Sequence, residues 1–130
     1  MAGNETPVLV VDDDKSVLDS LRLLLESAGY QTAGFGSAEA LLESGLVENG
    51  GCLILDLQLP GMSGFELQEY LSASRTSIPV IIITAHDRSG MEEQALRLGA
   101  MAYLQKPFDG QAILEAIQPI CKKGGGATTP

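Results

Sequence analysis

Apolar and polar positions along the chain alternate between two periods. Short apolar runs rich in β-branched residues occur at Pro7-Val8-Leu9-Val10-Val11, Cys52-Leu53-Ile54-Leu55 and Val80-Ile81-Ile82-Ile83, with weaker runs at Gln31 to Phe35 and Ala102 to Gln105. Helical spacing fills the intervals. From Lys15 to Ala28 the residues Val17, Leu18, Leu21, Leu24, Leu25 and Ala28 form one stripe, and Gly29 supplies a stop. Ser37 caps a short helix reaching Leu42, and Ser63 with Glu66 forms a capping-box pattern ahead of a helix over Phe65 to Ser72. A further helix spans Met91 to Leu98, stopped by Gly99. The last covers Gln111 to Ile120, where Pro119 lacks an amide hydrogen and so bends or ends it. Strands alternating with helices in this way predict βα units around a parallel sheet. The fold class is α/β, a doubly wound five-stranded parallel sheet with the Gln31–Phe35 strand at an edge. No sequence period of twenty to fifty residues recurs, which excludes a solenoid.

Composition narrows the class of function. At 130 residues the chain accommodates one domain, assigned here to 1–123, with the Gly-rich segment 124–130 as a flexible tail or the start of a linker. The longest apolar runs are strand-sized, which argues against a membrane span. Met1 to Thr6 lacks a basic region followed by an apolar stretch, so a cytoplasmic location is expected. A formal net charge of −9 repels phosphate backbones, and the basic residues are scattered apart from Lys122-Lys123, so direct nucleic acid binding is not expected. Cys52 and Cys121 match no metal or redox spacing. Cys52 reads as a small buried apolar residue, and no disulfide is expected.

Candidate chemistry lies at the strand ends. In open parallel α/β sheets, ligands bind beyond the carboxyl ends of the strands, where the strand order reverses. Asp12, Asp13 and Asp14 follow the first strand, Asp56 the third, Thr84 the fourth and Lys106 the fifth, whereas the second ends on Phe35-Gly36. In the order 2-1-3-4-5 those four polar ends are contiguous. Clustered carboxylates repel unless a cation sits among them, and a hard divalent ion such as Mg²⁺ takes oxygen ligands. Asp56 suits a nucleophile that forms an acyl phosphate, with Lys106 and the Thr84 hydroxyl facing the phosphoryl oxygens. Taken singly, each residue has a plainer reading: an aspartate capping the first helix, a turn carboxylate, a strand threonine, a surface lysine. Helix capping accounts for one aspartate, not for three in a row, and the four ends together favour chemistry.

The motifs Val8-Leu9-Val10-Val11-Asp12-Asp13-Asp14, Leu55-Asp56-Leu57-Gln58-Leu59-Pro60-Gly61-Met62-Ser63-Gly64, Ile83-Thr84-Ala85, Gly99-Ala100 with Tyr103, and Lys106-Pro107-Phe108 occur in this order. From about Pro7 to Cys121 the chain resembles the receiver domain of two-component response regulators. The resemblance implies a flavodoxin-like three-layer sandwich with strand order 2-1-3-4-5. It implies a signalling switch, not an enzyme in the usual sense, that takes a phosphoryl group on Asp56 from a histidine kinase, a phosphotransfer protein or a small phosphodonor. Asp13, Asp56 and the Gln58 carbonyl then bind Mg²⁺ (or Mn²⁺) directly, with Asp12 acting mainly through water, and the Lys106-Pro107 bond is cis. Thr84 and Tyr103 form the switch. The Met91–Leu98 helix, the Ala102–Gln105 strand and the Gln111–Ile120 helix carry the output face, which also suits a homodimer. For Tyr103 the competing reading is a half-buried aromatic on an edge strand. Gln58 and His86, each two residues from a pocket residue, are candidates for tuning acyl phosphate lifetime, although His86 also reads as a solvated loop residue.

Two other functions fit less well. Asp12-x-Asp14-x-Ser16 faintly resembles the nucleophile motif of haloacid-dehalogenase-type hydrolases, but the acidic pair expected after Lys106 and a cap insertion are missing. A binding module that has abandoned phosphate is opposed by the complete acidic, Thr and Lys set.

Overall fold

The computed structural model describes residues 6–120. The strands are β1 (Val8–Val11), β2 (Thr32–Phe35), β3 (Cys52–Asp56), β4 (Val80–Thr84) and β5 (Ala100–Gln105). They pair in parallel in the order β2-β1-β3-β4-β5. The helices are α1 (Lys15–Ser27), α2 (Ala38–Ser44), α3 (Gly64–Ala73), α4 (Met91–Arg97) and α5 (Gly110–Ile117), with one 3-10 turn at Leu46–Glu48.

Alternation along the central strands builds two cores. Leu9, Val11, Leu53, Leu55 and Ile82 face α2, α3 and α4 through Ala38, Leu41, Leu67, Leu71 and Ala95. Val8, Val10, Cys52, Ile54, Ile81 and Ile83 face α1 and α5 through Leu21, Leu25, Ile113 and Ile117. The sheet is thus covered on both faces, which is why β1, β3 and β4 read as unbroken apolar runs. Both β2 and β5 are edges and only half-buried over most of their length. Cys52 is fully buried, whereas Cys121, Lys122-Lys123 and the 124–130 segment lie outside the described residues.

Element boundaries moved where local geometry overrode pattern. The last helix ends at Ile117, short of the expected Ile120, because Pro119 brings no amide hydrogen to continue it. The fifth strand begins at Ala100, two residues earlier than the pattern suggested. Ala100 pairs with Val80 and Ala102 with Ile81, so Met101 bulges out, 59 % exposed, and disrupts the alternation that marks a strand. At the end of α1, Gly29 adopts φ 99°, and the amides of Gly29 and Tyr30 reach back to Glu26 and Leu25, closing the helix as its sequence suggests. Among the described residues no helix is long and apolar enough to cross a membrane.

Candidate functional site

Parallel pairing brings the carboxyl ends of β1, β3, β4 and β5 side by side. Val11 pairs with Leu55, Asp56 with Ile83, and Thr84 with Gln105, so the residues following each strand converge on one rim. Carboxylate oxygens of Asp12, Asp13 and Asp56 all lie within 4.8 Å of one another. Asp12 and Asp56 are buried and Asp13 is exposed, which leaves an open side to the cluster.

Each carboxylate is held by the local chain. Asp12 Oδ1 accepts from the backbone amide of Asp14 at 2.9 Å, and Asp56 Oδ1 accepts from that of Gln58 at 3.0 Å. These turns pin one oxygen of each residue and leave the other to the cluster. Lys106 Nζ enters from β5 and stands 2.8 Å from Asp12 Oδ2 and 3.2 Å from Asp56 Oδ2. Asp12 Oδ2 is buried and has no aligned hydrogen bond despite that ion pair. A buried carboxylate oxygen left in this state, next to two further carboxylates, fits coordination to a hard cation.

The electrostatics follow from this packing. Burial pushes the Asp56 carboxyl above its ordinary value. The Gln58 amide opposes this, the Asp12 charge adds to it, and the Lys106 charge and hydrogen bond partly offset it. Burial alone would pull the Lys106 ammonium down, but its close pairing with Asp12 and the charges of Asp56 and Asp12 outweigh it and hold Lys106 above its usual value. Lys106 therefore stays charged and Asp56 is a destabilised anion, the state of a carboxylate that gains from a cation or an electrophile.

Thr84, fully buried, donates its hydroxyl to Gln58 Oε1 at 2.7 Å and accepts from the amide of His86 at 3.3 Å. The His86 side chain itself lies on the exposed loop. Tyr103 is half-buried on edge strand β5 and donates to Asp87 Oδ1 in the β4–α4 loop. Burial first, and then that hydrogen bond, push the Tyr103 phenol well above its ordinary value. The Lys106–Pro107 peptide is cis.

Asp14 stands apart from the cluster. Its Oδ1 accepts from Ser16 N at 3.0 Å and caps α1, so Asp14 and Ser16 are engaged as helix cap, not as parts of a hydrolase motif. Three polar contacts were absent from the sequence reading: the Gln58 side chain on Thr84, Asp87 on Tyr103, and Glu39 Oε2 accepting from Met62 N at 2.8 Å across the β3–α3 loop. All join residues at least 16 apart in sequence, beyond the reach of any periodic signal.

Comparison with known proteins agrees with this geometry. The family model described as the response regulator receiver domain matches residues 8–118. Transcriptional regulatory protein FixJ of Azorhizobium caulinodans is 41 % identical over 86 % of this chain and 53 % of that protein. Nodulation protein W of Bradyrhizobium diazoefficiens is 40 % identical over 89 % of this chain and 51 % of its own length. The chain thus spans about half the length of these relatives. Among solved structures, response regulator StyR superposes with a TM-score of 0.84 at 47 % identity, covering 90 % of this chain and 59 % of that one. FixJ-N superposes with a TM-score of 0.79 at 38 % identity over 88 % of this chain and 92 % of that one. With its 2-1-3-4-5 sheet and its acidic, Thr and Lys rim, the chain belongs to the family of receiver domains of two-component response regulators.

Proposed function

We propose that Asp56 accepts a phosphoryl group from a sensor histidine kinase, a phosphotransfer protein or a small phosphodonor, and that the product is a changed conformation, not a released metabolite. The observation that carries this reading is the convergence of Asp12, Asp13, Asp56 and Lys106 on one rim, with Asp56 Oδ2 3.2 Å from the lysine. An Asp56 oxygen attacks phosphorus in line while the bond to the donor nitrogen or oxygen breaks, and the leaving group departs with its electron pair and is protonated by solvent. Lys106 faces the added negative charge, and the Thr84 hydroxyl donates to a phosphoryl oxygen. Asp13, Asp56 and the Gln58 backbone carbonyl would hold Mg²⁺ (or Mn²⁺), with Asp12 acting through water, and the ion would supply positive charge for carboxylates and phosphoryl oxygens to share the site. The same groups serve hydrolysis of the acyl phosphate.

Movement of Thr84 toward the phosphoryl group and of Tyr103 into the space it leaves would alter α4, β5 and α5. Leu96, 45 % exposed, and Met101, 59 % exposed, give that face apolar area for a partner or for a second copy of the chain. In the relatives named as transcriptional regulators the matched segment covers only about half of the protein, which supports a role in controlling an output segment. Residues 1–123 are then the receiver unit and 124–130 a tail or the start of a linker. The net charge of −9 supports leaving nucleic acid contact to that output segment and, with no membrane-crossing helix among the described residues, a cytoplasmic setting is proposed.

The test is direct. Asp56→Asn should abolish labelling by acetyl phosphate or phosphoramidate in the presence of Mg²⁺, while the wild type labels at one site. Normal labelling of that variant would refute the assignment.

A further inference from the structure

A hydroxyl has one proton to donate, and that of Thr84 is already committed. Thr84 Oγ1 donates to Gln58 Oε1 at 2.7 Å, and the His86 amide occupies an acceptor position of the same oxygen. A phosphoryl group on Asp56 needs that same proton, so it must displace Gln58 to get it. We propose that the Gln58 side chain is a positioning residue for the switch, holding Thr84 in its unphosphorylated setting and competing with the phosphoryl group for the hydroxyl proton. The proposal rests on the phosphoacceptor reading above and assigns the set point of that switch to a side chain outside the strand-end cluster.

The loop carrying Gln58 is fixed from several directions, so its side chain is delivered to Thr84 and does not merely brush it. The Gln58 amide is tied to Asp56 Oδ1 at 3.0 Å. Further along the loop, the Met62 amide is held by Glu39, and Ser63 closes a reciprocal capping box with Glu66. Gln58 is exposed while Thr84 is buried, so the amide can swing into solvent when released, whereas the threonine has no such alternative. Releasing it leaves the Thr84 proton without an acceptor until one arrives on Asp56. One neutral hydrogen bond is enough to move such a balance about two- to tenfold.

Gln58→Met keeps the length of the side chain and removes the acceptor. With saturating Mg²⁺, affinity for beryllofluoride measured by calorimetry should rise about two- to tenfold in this variant. In the unliganded variant, the backbone amide resonances of Thr84 and His86 should shift along the line joining the free and beryllofluoride-bound wild-type positions, a movement that loss of packing does not produce. In a Thr84→Ala background, Gln58→Met should add nothing. Unchanged or weaker binding in Gln58→Met, or a gain that persists without the Thr84 hydroxyl, overturns the proposal. Failure of the wild type to bind beryllofluoride would instead strike the phosphoacceptor reading and take this inference with it.

Discussion

Among the described residues Lys106 is the one cation paired with the two buried carboxylates Asp12 and Asp56, so its removal isolates what the cluster costs the fold. At an effective dielectric of about 20, unit charges 2.8 and 3.2 Å apart attract by about 6 and about 5 kcal/mol. Against this stand the desolvation of the ammonium and the repulsion between Asp12 and Asp56, at least about 3.5 kcal/mol on the same dielectric because their oxygens lie within 4.8 Å. Breaking a buried ion pair by deleting one partner ordinarily costs about 3–5 kcal/mol, because the remaining charge is uncompensated. The Lys106 side chain is 16 % exposed, so water can enter, and the lower end of that range applies. Lys106→Met in EDTA at pH 7 should therefore lose about 3 kcal/mol, which at about 4 °C per kcal/mol for a domain of this size is roughly 12 °C in Tm. The pH dependence has a defined sign. Asp56 is harder to ionise in the fold than in the unfolded chain, so its ionisation costs stability as pH rises through its folded pKa. Without Lys106 that elevation grows, and the deficit of the variant should shrink as pH falls from 7 toward about 4, where unfolded carboxylates begin to protonate. Mg²⁺ should likewise narrow the gap. Thermal denaturation by circular dichroism with and without Mg²⁺ at both pH values measures all three effects. A variant within 1 kcal/mol of wild type in EDTA at pH 7, with no response to pH, would refute the account of the cluster as buried, mutually repelling carboxylates held together by Lys106.

Two smaller perturbations test the supports of the site. In Gly64→Ala the added Cβ would sit 2.7 Å from the Asp56 carbonyl oxygen and 2.7 Å from Leu57 Cα, both backbone atoms unable to step aside, so a loss of about 1–3 kcal/mol in urea denaturation is expected, and wild-type stability would refute it. Tyr103→Phe removes the donor to Asp87 and should cost about 0.5–1.5 kcal/mol while raising hydrogen exchange in the β4–α4 loop; unchanged exchange would show that the loop does not depend on this contact.

Much of the architecture was legible because burial on both faces imposes a compositional signature. Val8–Val11, Cys52–Leu55 and Val80–Ile83 have no polar positions, and only a sheet sandwiched between helices demands that. The terminal polar residues stand out against those runs, so Asp56 and Thr84 were visible without coordinates. Capping was legible too, since Ser63 and Glu66 interact three residues apart. Where the sequence misled, a local irregularity was responsible: the bulge at Met101 hid the first third of β5, whereas the division of the aspartates, one for the helix cap and Asp12 with Asp13 for the cluster, was legible.

Strand ends and loops carry different kinds of information in this domain. A strand-end residue is placed by the register of the sheet, so chemistry that needs Asp56, Thr84 and Lys106 together is specified once the strand order is known. The polar contacts that hold Thr84, Tyr103 and the β3–α3 loop come instead from Gln58, Asp87 and Glu39, on two loops and a helix start, and each depends on the path of a segment with no period to read. Thr84 sits at the junction of the two, its backbone fixed by β4 and its proton directed by a loop. On the proposed role of Gln58, the set point of the switch would lie in a side chain that can be changed without altering Asp56, Thr84 or Lys106.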